Sequence, residues 1–261
     1  VDHMLKAIGV GSVNELIKET IPDSILKNED LKINKAVNEQ DYLLALSKIA
    51  DKNKNYHNYI GQGYYGTVTP NVIKRNILCN PGWYSAYTPY QAEIAQGRLE
   101  ALFNFQSMVC ELTAMELANA SLLDEATAVA EAMTLGYAVR STEQKKAGAN
   151  KLFVSKDILP QSWAVLNTRA IPLGIELVLG DITTIDFDTS FFGAFFQYPG
   201  KHGNIMDLPF GVSKAKAFDL KTIVAADLLS LTILEAPGTY GVDVVVGTTQ
   251  RFGIPLGYGG P

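Results

Sequence analysis

Aromatic side chains that carry polar groups are concentrated between residues 61 and 106, a stretch that is also rich in Gly and Pro. The rings in this stretch include Tyr64, Tyr65, Trp83, Tyr84, Tyr87 and Tyr90. Gly and Pro fix backbone paths that other residues follow only at a cost, so these rings are expected to form a rigid, partly polar wall. We interpret the stretch as a surface against which a ligand or partner docks.

The last part of this wall combines hydroxyl, amide and carboxylate groups, supplied by Tyr87, Thr88, Pro89, Tyr90, Gln91 and Glu93. Thr88 as N-cap, Pro89 at the first helical position and Gln91 at N3 predict that a helix begins here. Buried tyrosine hydroxyls need partners, and Gln91 can either cap the helix or donate to a ligand. The residues alone leave two interpretations open, a capped helix with aromatic packing or a ligand-contacting segment.

Residues 61–66 match the pattern GxGxxG, which in dinucleotide-binding proteins follows a buried strand and opens a helix. Here residues 52–58 are polar and do not form an apolar strand, and Pro70 interrupts any helix after the glycines. The sequence therefore argues against a nicotinamide site.

Two further positions could bind a ligand. Residues 121–127 open a predicted helix whose free N–H groups favour an anion, but Asp124 and Glu125 would repel one, so an ordinary capped helix start is favoured. Gln197, Tyr198 and His202 follow or end a predicted strand, where ligands of open α/β sheets gather. A turn with a surface histidine explains them equally well.

Short apolar runs at 151–155, 175–179, 193–198, 222–226 and 242–246 alternate with helical stretches such as 159–168 and 211–218. Buried strands that alternate with helices predict an α/β fold with a mostly parallel sheet covered on both faces. Residues 1–58 predict short helices, one capped by Ser12 and one over 39–50, and form an N-terminal helical extension to a domain at 59–261.

The composition excludes several classes of function. A formal charge of −5 without a basic run argues against nucleic acid as a partner, and no apolar stretch approaches the length of a membrane span. Cys79 and Cys110 have no metal or CxxC spacing and suggest a reducing compartment, and the three histidines are scattered, so we expect no metal site.

A family resemblance covers almost the whole chain. The run GQGYYGTVTPNVIKRNILCNPGWYSAYTPYQAEIAQGRLEALFNFQ, together with MLKAIGVGSVNELIKETIP, SLLDEATAVAEAM, FFQYP, AADLLSLTIL and QRFGIPLGYGGP, resembles glycine dehydrogenase (decarboxylating), the P-protein of the glycine cleavage system. It is similar to the N-terminal half of that long chain, or to the first subunit of a two-subunit form. The chain is accordingly expected to be a fragment that ends inside the family domain.

The resemblance implies the large domain of the type I pyridoxal-phosphate transferase (aspartate aminotransferase-like) fold. In that fold Asp227 would pair with the pyridine nitrogen of the cofactor, and a lysine further along would form the Schiff base. This chain has no lysine after Lys221, and Gln250-Arg251 stands where the catalytic half has His-Lys. Arginine stays protonated and cannot form the imine, so Asp124, Asp227, Gln250 and Arg251 are expected to be a vestigial cofactor site with no catalytic residue.

The resemblance further implies that the other half, or a second subunit, binds pyridoxal phosphate, and that glycine and a lipoylated H-protein are partners within a homo- or hetero-oligomer. The expected location is the bacterial cytoplasm, with the mitochondrial matrix as the alternative. This half would supply scaffold and pocket walls from Tyr64, Tyr65, Tyr84 and the segment 87–93. The alternative is a purely structural pseudo-enzyme domain.

Overall fold

The computed structural model describes residues 1–27, 29, 31–84, 88–119 and 121–255, and the chain divides into two units, Val1–Tyr56 and His57–Pro261. The first unit contains α1 (Asp2–Ile8), α2 (Val13–Thr20) and α3 (Glu39–Ala50). The predicted N-cap of α2 is confirmed, because the Ser12 hydroxyl oxygen accepts the N–H of Glu15 at 3.1 Å. The carboxylate of Glu15 accepts the N–H of Gly11, which satisfies another donor before the helix begins.

The second unit holds the remaining elements. Its helices are α4 (Asn71–Ile73), which continues into a π-helical turn (Lys74–Leu78), α5 (Pro81–Tyr84), α6 (Gln96–Thr113), α7 (Glu125–Ala138), α8 (Thr142–Lys146), α9 (Pro160–Ala170) and α10 (Leu208–Lys216). Its strands are β1 (Lys151–Ser155), β2 (Glu176–Gly180), β3 (Phe191–Tyr198), β4 (Lys221–Ala226) and β5 (Val244–Val246). Short 3-10 turns lie at Ala92–Ile94, Ile171–Leu173, Ser230–Thr232, Pro237–Tyr240 and Gln250–Phe252.

The five strands form one sheet in the order β2-β1-β3-β4-β5, and every neighbouring pair is parallel. This confirms the predicted α/β fold with a parallel sheet. The physical reason is burial on both faces: all residues of the central strand β3 are buried, so its sequence is a continuous apolar run rather than an alternating one.

Each face of the sheet has its own apolar core. On one face, α7 and α9 pack through residues such as Val129, Met133 and Leu166. On the other, α10 packs with Leu208 and Val212. A register shift between β1 and β3 inserts one extra residue near the start of β3 and leaves Phe192 and Phe195 on the same face.

Helix α7 runs antiparallel to the strands. Its last turns lie over their amino ends, where a side chain at Gly136 would contact Phe192 and Lys221. Its first residue, Glu125, lies instead at the carboxyl end of β3. This direction brings the start of α7 to the edge of the sheet at which all five parallel strands end.

The prediction that a helix begins at Thr88 is wrong. Helix α6 begins at Gln96 with Ala95 as N-cap and no side-chain cap, and Gln91 is extended with φ −102° and ψ 105°. The N–H of Tyr90 donates to the carbonyl of Thr88 at 2.8 Å. In this tight turn the Thr88 carbonyl accepts a hydrogen bond that would otherwise belong to the first turn of a helix. Thr88 and Pro89 therefore lie in a loop and do not start a helix.

None of the helices in the described ranges is long and apolar enough to cross a membrane.

Gly247 follows β5 and lies against the end of β4. A Cβ atom built there would be 2.4 Å from the carbonyl oxygen of Ala226, a backbone atom that cannot turn aside. We expect Gly247→Ala to lower the free energy of unfolding by about 1–3 kcal/mol, the usual cost of overpacking, as measured by thermal or urea unfolding.

The matched control is Gly97→Ala in α6, where the added methyl group would have no atom within 4 Å. Because alanine favours a helix over glycine, this control should leave stability unchanged or raise it by up to about 1 kcal/mol. Equal stability of the Gly247→Ala variant and the parent chain would contradict the close approach of β4 and the residues after β5.

Candidate functional site

The carboxyl edge of the sheet gathers polar side chains from four elements. Gln197 lies near the end of β3, Asp227 follows β4 directly, and Gln250 and Arg251 lie in the turn after β5. Glu125 begins α7 at the same edge. We call these five residues the carboxyl-edge cluster.

Asp227 and Arg251 form a bidentate ion pair at the centre of the cluster. The Arg251 Nε atom donates to Oδ1 of Asp227 at 2.8 Å, and Nη2 donates to Oδ2 at 3.1 Å. The two side chains are only 13% and 20% exposed, so solvent screens the pair poorly. Asp227 is itself held in line with the sheet, because its N–H donates to the carbonyl oxygen of Tyr198.

Tyr65 covers the guanidinium group of Arg251. The Cζ atom of Arg251 lies 4.1 Å from the centre of the Tyr65 ring, a cation–π arrangement. Gln250 is fully buried, and its Nε2 atom donates to the backbone carbonyl of Tyr65 at 3.3 Å. Tyr65, which belongs to the glycine–tyrosine turn (residues 61–66), therefore contacts both Gln250 and Arg251 in the turn after β5.

Asp124 and Glu125 have different roles at the start of α7. The Asp124 carboxylate caps the helix by accepting the N–H of Thr127 at 2.7 Å, which confirms the capped helix start favoured by the sequence. The Glu125 Oε1 atom accepts the Nε2 hydrogen of Gln197 at 3.0 Å. Asp124 thus occupies donor groups that an anion would otherwise bind.

Burial raises the pKa of Glu125 to about 7. The hydrogen bond from Gln197 opposes this rise, whereas the negative charges of Asp227 and Asp124 add to it. Burial penalises the charged carboxylate and the neighbouring carboxylates repel it, so the neutral form of Glu125 is favoured up to a pH of about 7.

Two buried acceptor atoms of the cluster, Oε1 of Gln197 and Oε1 of Gln250, have no hydrogen-bond donor in the described part of the chain. Gln197 is 5% exposed and already uses its amide nitrogen for Glu125 and for the carbonyl of Ala225. The cluster is therefore rich in acceptors and carboxylates, and its single cation is already paired.

The remaining predicted site residues lie outside this cluster. His202 is exposed in the turn after β3 and has no hydrogen bond or ion pair to the residues described, as expected for a surface histidine. Tyr84, Tyr90, Gln91 and Glu93 are exposed, and Tyr90 is the most so of the tyrosines there, at 80%. Tyr64 is half-buried in the glycine–tyrosine turn, and Tyr87 lies outside the described residues.

A separate apolar cavity of about 610 Å³ lies between α6, α7 and β5. Its walls include Phe105, Leu135 and Val245, and Asp124 reaches its rim. In the described part of the chain, Asp227 and Arg251 are not among the residues that line this cavity. No group of three or more His, Cys, Asp or Glu side chains among the described residues could hold a metal ion.

The fold and the position of the cluster define the class of protein. The structure matches that of glycine decarboxylase (P-protein) of the glycine cleavage system in inhibitor-bound form, with a TM-score of 0.86 and 30% sequence identity over 100% of this chain and 59% of that one. The sheet with its covering helices is the large domain of a type I pyridoxal-phosphate enzyme, as the sequence predicted.

The family model for the glycine cleavage system P-protein matches residues 1–261, and the chain belongs to this family. It is 58% identical over 259 residues to glycine dehydrogenase (decarboxylating) of Christiangramia forsetii and 55% identical over 261 residues to that of Nostoc punctiforme. It covers 99% and 100% of its own length in these comparisons, but only 27% and 26% of those relatives. The chain thus spans about a quarter of the length of the curated relatives that it matches.

The residues of the cluster do not fit pyridoxal phosphate. The carboxylate that would pair with the pyridine nitrogen, that of Asp227, already holds Arg251 through both oxygens. The helix start that would cradle the phosphate is capped by Asp124, whose charge repels an anion. The sequence contains no lysine after Lys221, so the group that forms the imine is also missing there.

Sequence reasoning identified Asp124, Asp227, Gln250 and Arg251 one by one but missed how they combine. It did not predict the Asp227–Arg251 pair, the stacking of Tyr65 or the Glu125–Gln197 hydrogen bond. One signal was available for Gln197: it is a polar residue within the apolar run FFGAFFQY, and a buried polar side chain needs a partner.

The raised pKa of Glu125 predicts a pH-dependent stability. The folded chain holds this proton more tightly than the unfolded chain, so the contribution is fully present below a pH of about 4.5 and is lost as the pH rises to about 7. The pKa difference corresponds to a loss on the order of 3 kcal/mol. Glu125→Gln keeps the acceptor oxygen for Gln197 and removes the charge, so it should unfold at a higher temperature than the parent at pH 8 and at a similar one near pH 4.5.

The matched control is Glu131→Gln on the same helix, since Glu131 is exposed and pairs with Arg169 only at 3.6 Å. Its effect on the melting temperature should be small and should not change across this pH range. A Glu125→Gln variant whose melting temperature follows that of the parent at every pH would show that Glu125 does not hold a proton in the folded chain.

The poor fit to the cofactor predicts that the 261-residue chain forms no imine with pyridoxal phosphate. Incubation with the cofactor should produce no imine absorption band that survives removal of free cofactor and disappears when one particular lysine is replaced. Surface lysines that react weakly should lose the cofactor on dialysis, whereas a specific cofactor site would retain it.

Proposed function

We propose that the protein to which this chain belongs is a glycine decarboxylase. It would decarboxylate glycine with pyridoxal phosphate bound by the other half of the protein and pass the aminomethyl group to the lipoyl arm of the H-protein. This chain would supply scaffold, an interface with the other half, and part of the pocket wall. Membership of the P-protein family and the glycine dehydrogenase relatives support the reaction.

The observation that carries the division of labour is the Asp227–Arg251 ion pair. A half that held the cofactor would need the Asp227 carboxylate available and a lysine nearby. Here both carboxylate oxygens are bound to arginine, at 2.8 and 3.1 Å. The chemistry therefore belongs to a homologous half that keeps these groups, and this half keeps the fold.

The aromatic segment is the part of this chain best suited to reach that other half. Tyr84 is 67% exposed and Tyr90 is 80% exposed, and the polar side chains of Gln91 and Glu93 are exposed beside them. Large exposed aromatic side chains with polar tips are typical of surfaces that become buried in an assembly. Such side chains can fix a substrate or exclude water from a neighbouring pocket.

Replacing Tyr90 by Phe in the full-length protein removes one hydroxyl and keeps the ring. If that hydroxyl contacts the reacting complex, its loss should cost about 1–3 kcal/mol of transition-state stabilisation, or about a tenfold or larger fall in the rate of glycine decarboxylation with H-protein. Gln91→Ala tests the neighbouring amide in the same assay, and the melting temperature should change little in either variant.

Tyr137→Phe is the matched control. Tyr137 lies in the last turn of α7, at the amino end of the strands, and its ring packs edge-on against Phe192 with 5.3 Å between the centres. This substitution should leave the rate unchanged. Full activity of both the Tyr90→Phe and the Gln91→Ala proteins would instead favour a purely structural role for this half.

A further inference from the structure

We propose that Arg251 is a positioning residue, which fixes the path of the glycine–tyrosine turn from the place that the cofactor occupies in a catalytic half. The vestigial cofactor site would thus act as a brace for the aromatic wall. The value of this brace for catalysis rests on the proposed function, since it matters for the reaction only if the wall serves the pocket of the other half.

Several direct contacts join two segments that are far apart in sequence, residues 65–70 and residues 250–254. Beyond Tyr65, the side chain of Thr69 donates to the carbonyl of Gly253 at 2.6 Å, and that of Thr67 donates to the carbonyl of Ile254 at 3.0 Å. Gly253 has φ +100° and lies so close to Val68 and Pro70 that a Cβ atom would be 2.9 Å from each. The residues after β5 therefore hold residues 65–70 along their length.

The glycine–tyrosine turn has an unusual backbone conformation. Gly61, Gln62 and Gly63 all have positive φ, at 63°, 52° and 90°. A non-glycine residue in this region is strained, so Gln62 needs support from outside the turn. Gln161 supplies such support by donating to the carbonyl of Gln62 at 2.9 Å, and Arg251 lies over the ring of Tyr65 three residues further along the turn.

The Asp227–Arg251 pair is partly buried. Such a pair returns little net stability, because the cost of removing two charges from water offsets much of their attraction. The Asp227–Arg251 pair is therefore poorly explained as a source of stability alone. Its geometry fixes the plane of the guanidinium group through two hydrogen bonds, and that plane is the surface on which the Tyr65 ring lies. Orientation is what such a pair provides best.

The test uses three variants of the full-length enzyme: Arg251→Gln, the double variant Asp227→Asn, Arg251→Gln, and Arg251→Lys. Arg251→Gln leaves the Asp227 charge unpaired and should lower the melting temperature. The double variant Asp227→Asn, Arg251→Gln removes both charges, so it should recover most of that loss. Arg251→Lys keeps the charge but cannot form the planar, bidentate contact.

The decisive measurement is amide hydrogen exchange of residues 61–66, followed by mass spectrometry. We expect exchange there to be at least tenfold faster in the double variant and in Arg251→Lys than in the parent, while exchange in β1 and β3 is unchanged. The matched control is Arg169→Gln, which breaks an exposed pair with Glu131 and should leave the turn as it is. Parent-like exchange of residues 61–66 in the folded double variant would overturn the proposal, as would parent-like exchange in Arg251→Lys.

Steady-state kinetics on the same proteins separate this proposal from the proposed function. With both correct, the double variant should show a raised KM for glycine or a lowered kcat, by about tenfold, at a melting temperature near that of the parent. Faster exchange with unchanged kinetics would support the brace and refute the pocket-wall role. Altered kinetics with unchanged exchange would refute the brace and leave the pocket-wall role standing.

Discussion

The carboxylate of Asp227 is partly buried, directly after a buried strand of a parallel sheet, and a neighbouring cation offsets the cost of removing its charge from water. Much of the carboxyl edge follows from this requirement. The chain satisfies it from within, through Arg251, and the guanidinium group then provides a flat surface for Tyr65. Arg251 pairs with Asp227, and the cluster has no second cation to neutralise Glu125. Burial therefore raises the pKa of Glu125, because the protonated side chain is easier to bury than the charged one. A single charge pair thus accounts for the occupied space beside Asp227 and for the covered arginine, and the charge of Asp227 adds to the effect of burial on the pKa of Glu125.

The parallel sheet determines which residues can meet. In a parallel sheet all strands end at one edge, so residues that follow different strands become neighbours although they are distant in sequence. In a catalytic member of this fold class the same edge holds a cofactor. Here the same backbone positions carry side chains that bind one another. The fold and the chemistry of the edge are therefore separable, because the same sheet can carry side chains at this edge that bind one another.

The sheet could be predicted from the sequence because its signal is local. The runs at 151–155 and 222–226 coincide with β1 and β4 to within one residue at each end, since buried parallel strands are continuous apolar segments. The cluster could not be predicted in the same way. Arg251 meets Asp227 across 24 residues, and Gln250 meets Tyr65 across 185, and no local pattern contains such distances. The wrong prediction of a helix start at Thr88 has a different cause. The residues match a capping pattern, but the Thr88 carbonyl accepts the N–H of Tyr90 in a tight turn and not an N–H of a first helical turn.

The contacts between residues 65–69 and 250–254 also close a very long loop of chain. During synthesis the tyrosines of the glycine–tyrosine turn leave the ribosome long before Arg251 does, and β1 to β5 must be made in between. Until that moment the turn lacks the guanidinium group that lies over Tyr65, so this contact forms only after all five strands have been made. The glycine–tyrosine turn is thus completed by residues that are translated about 185 positions later, and a nascent chain cannot hold the turn in this way before then.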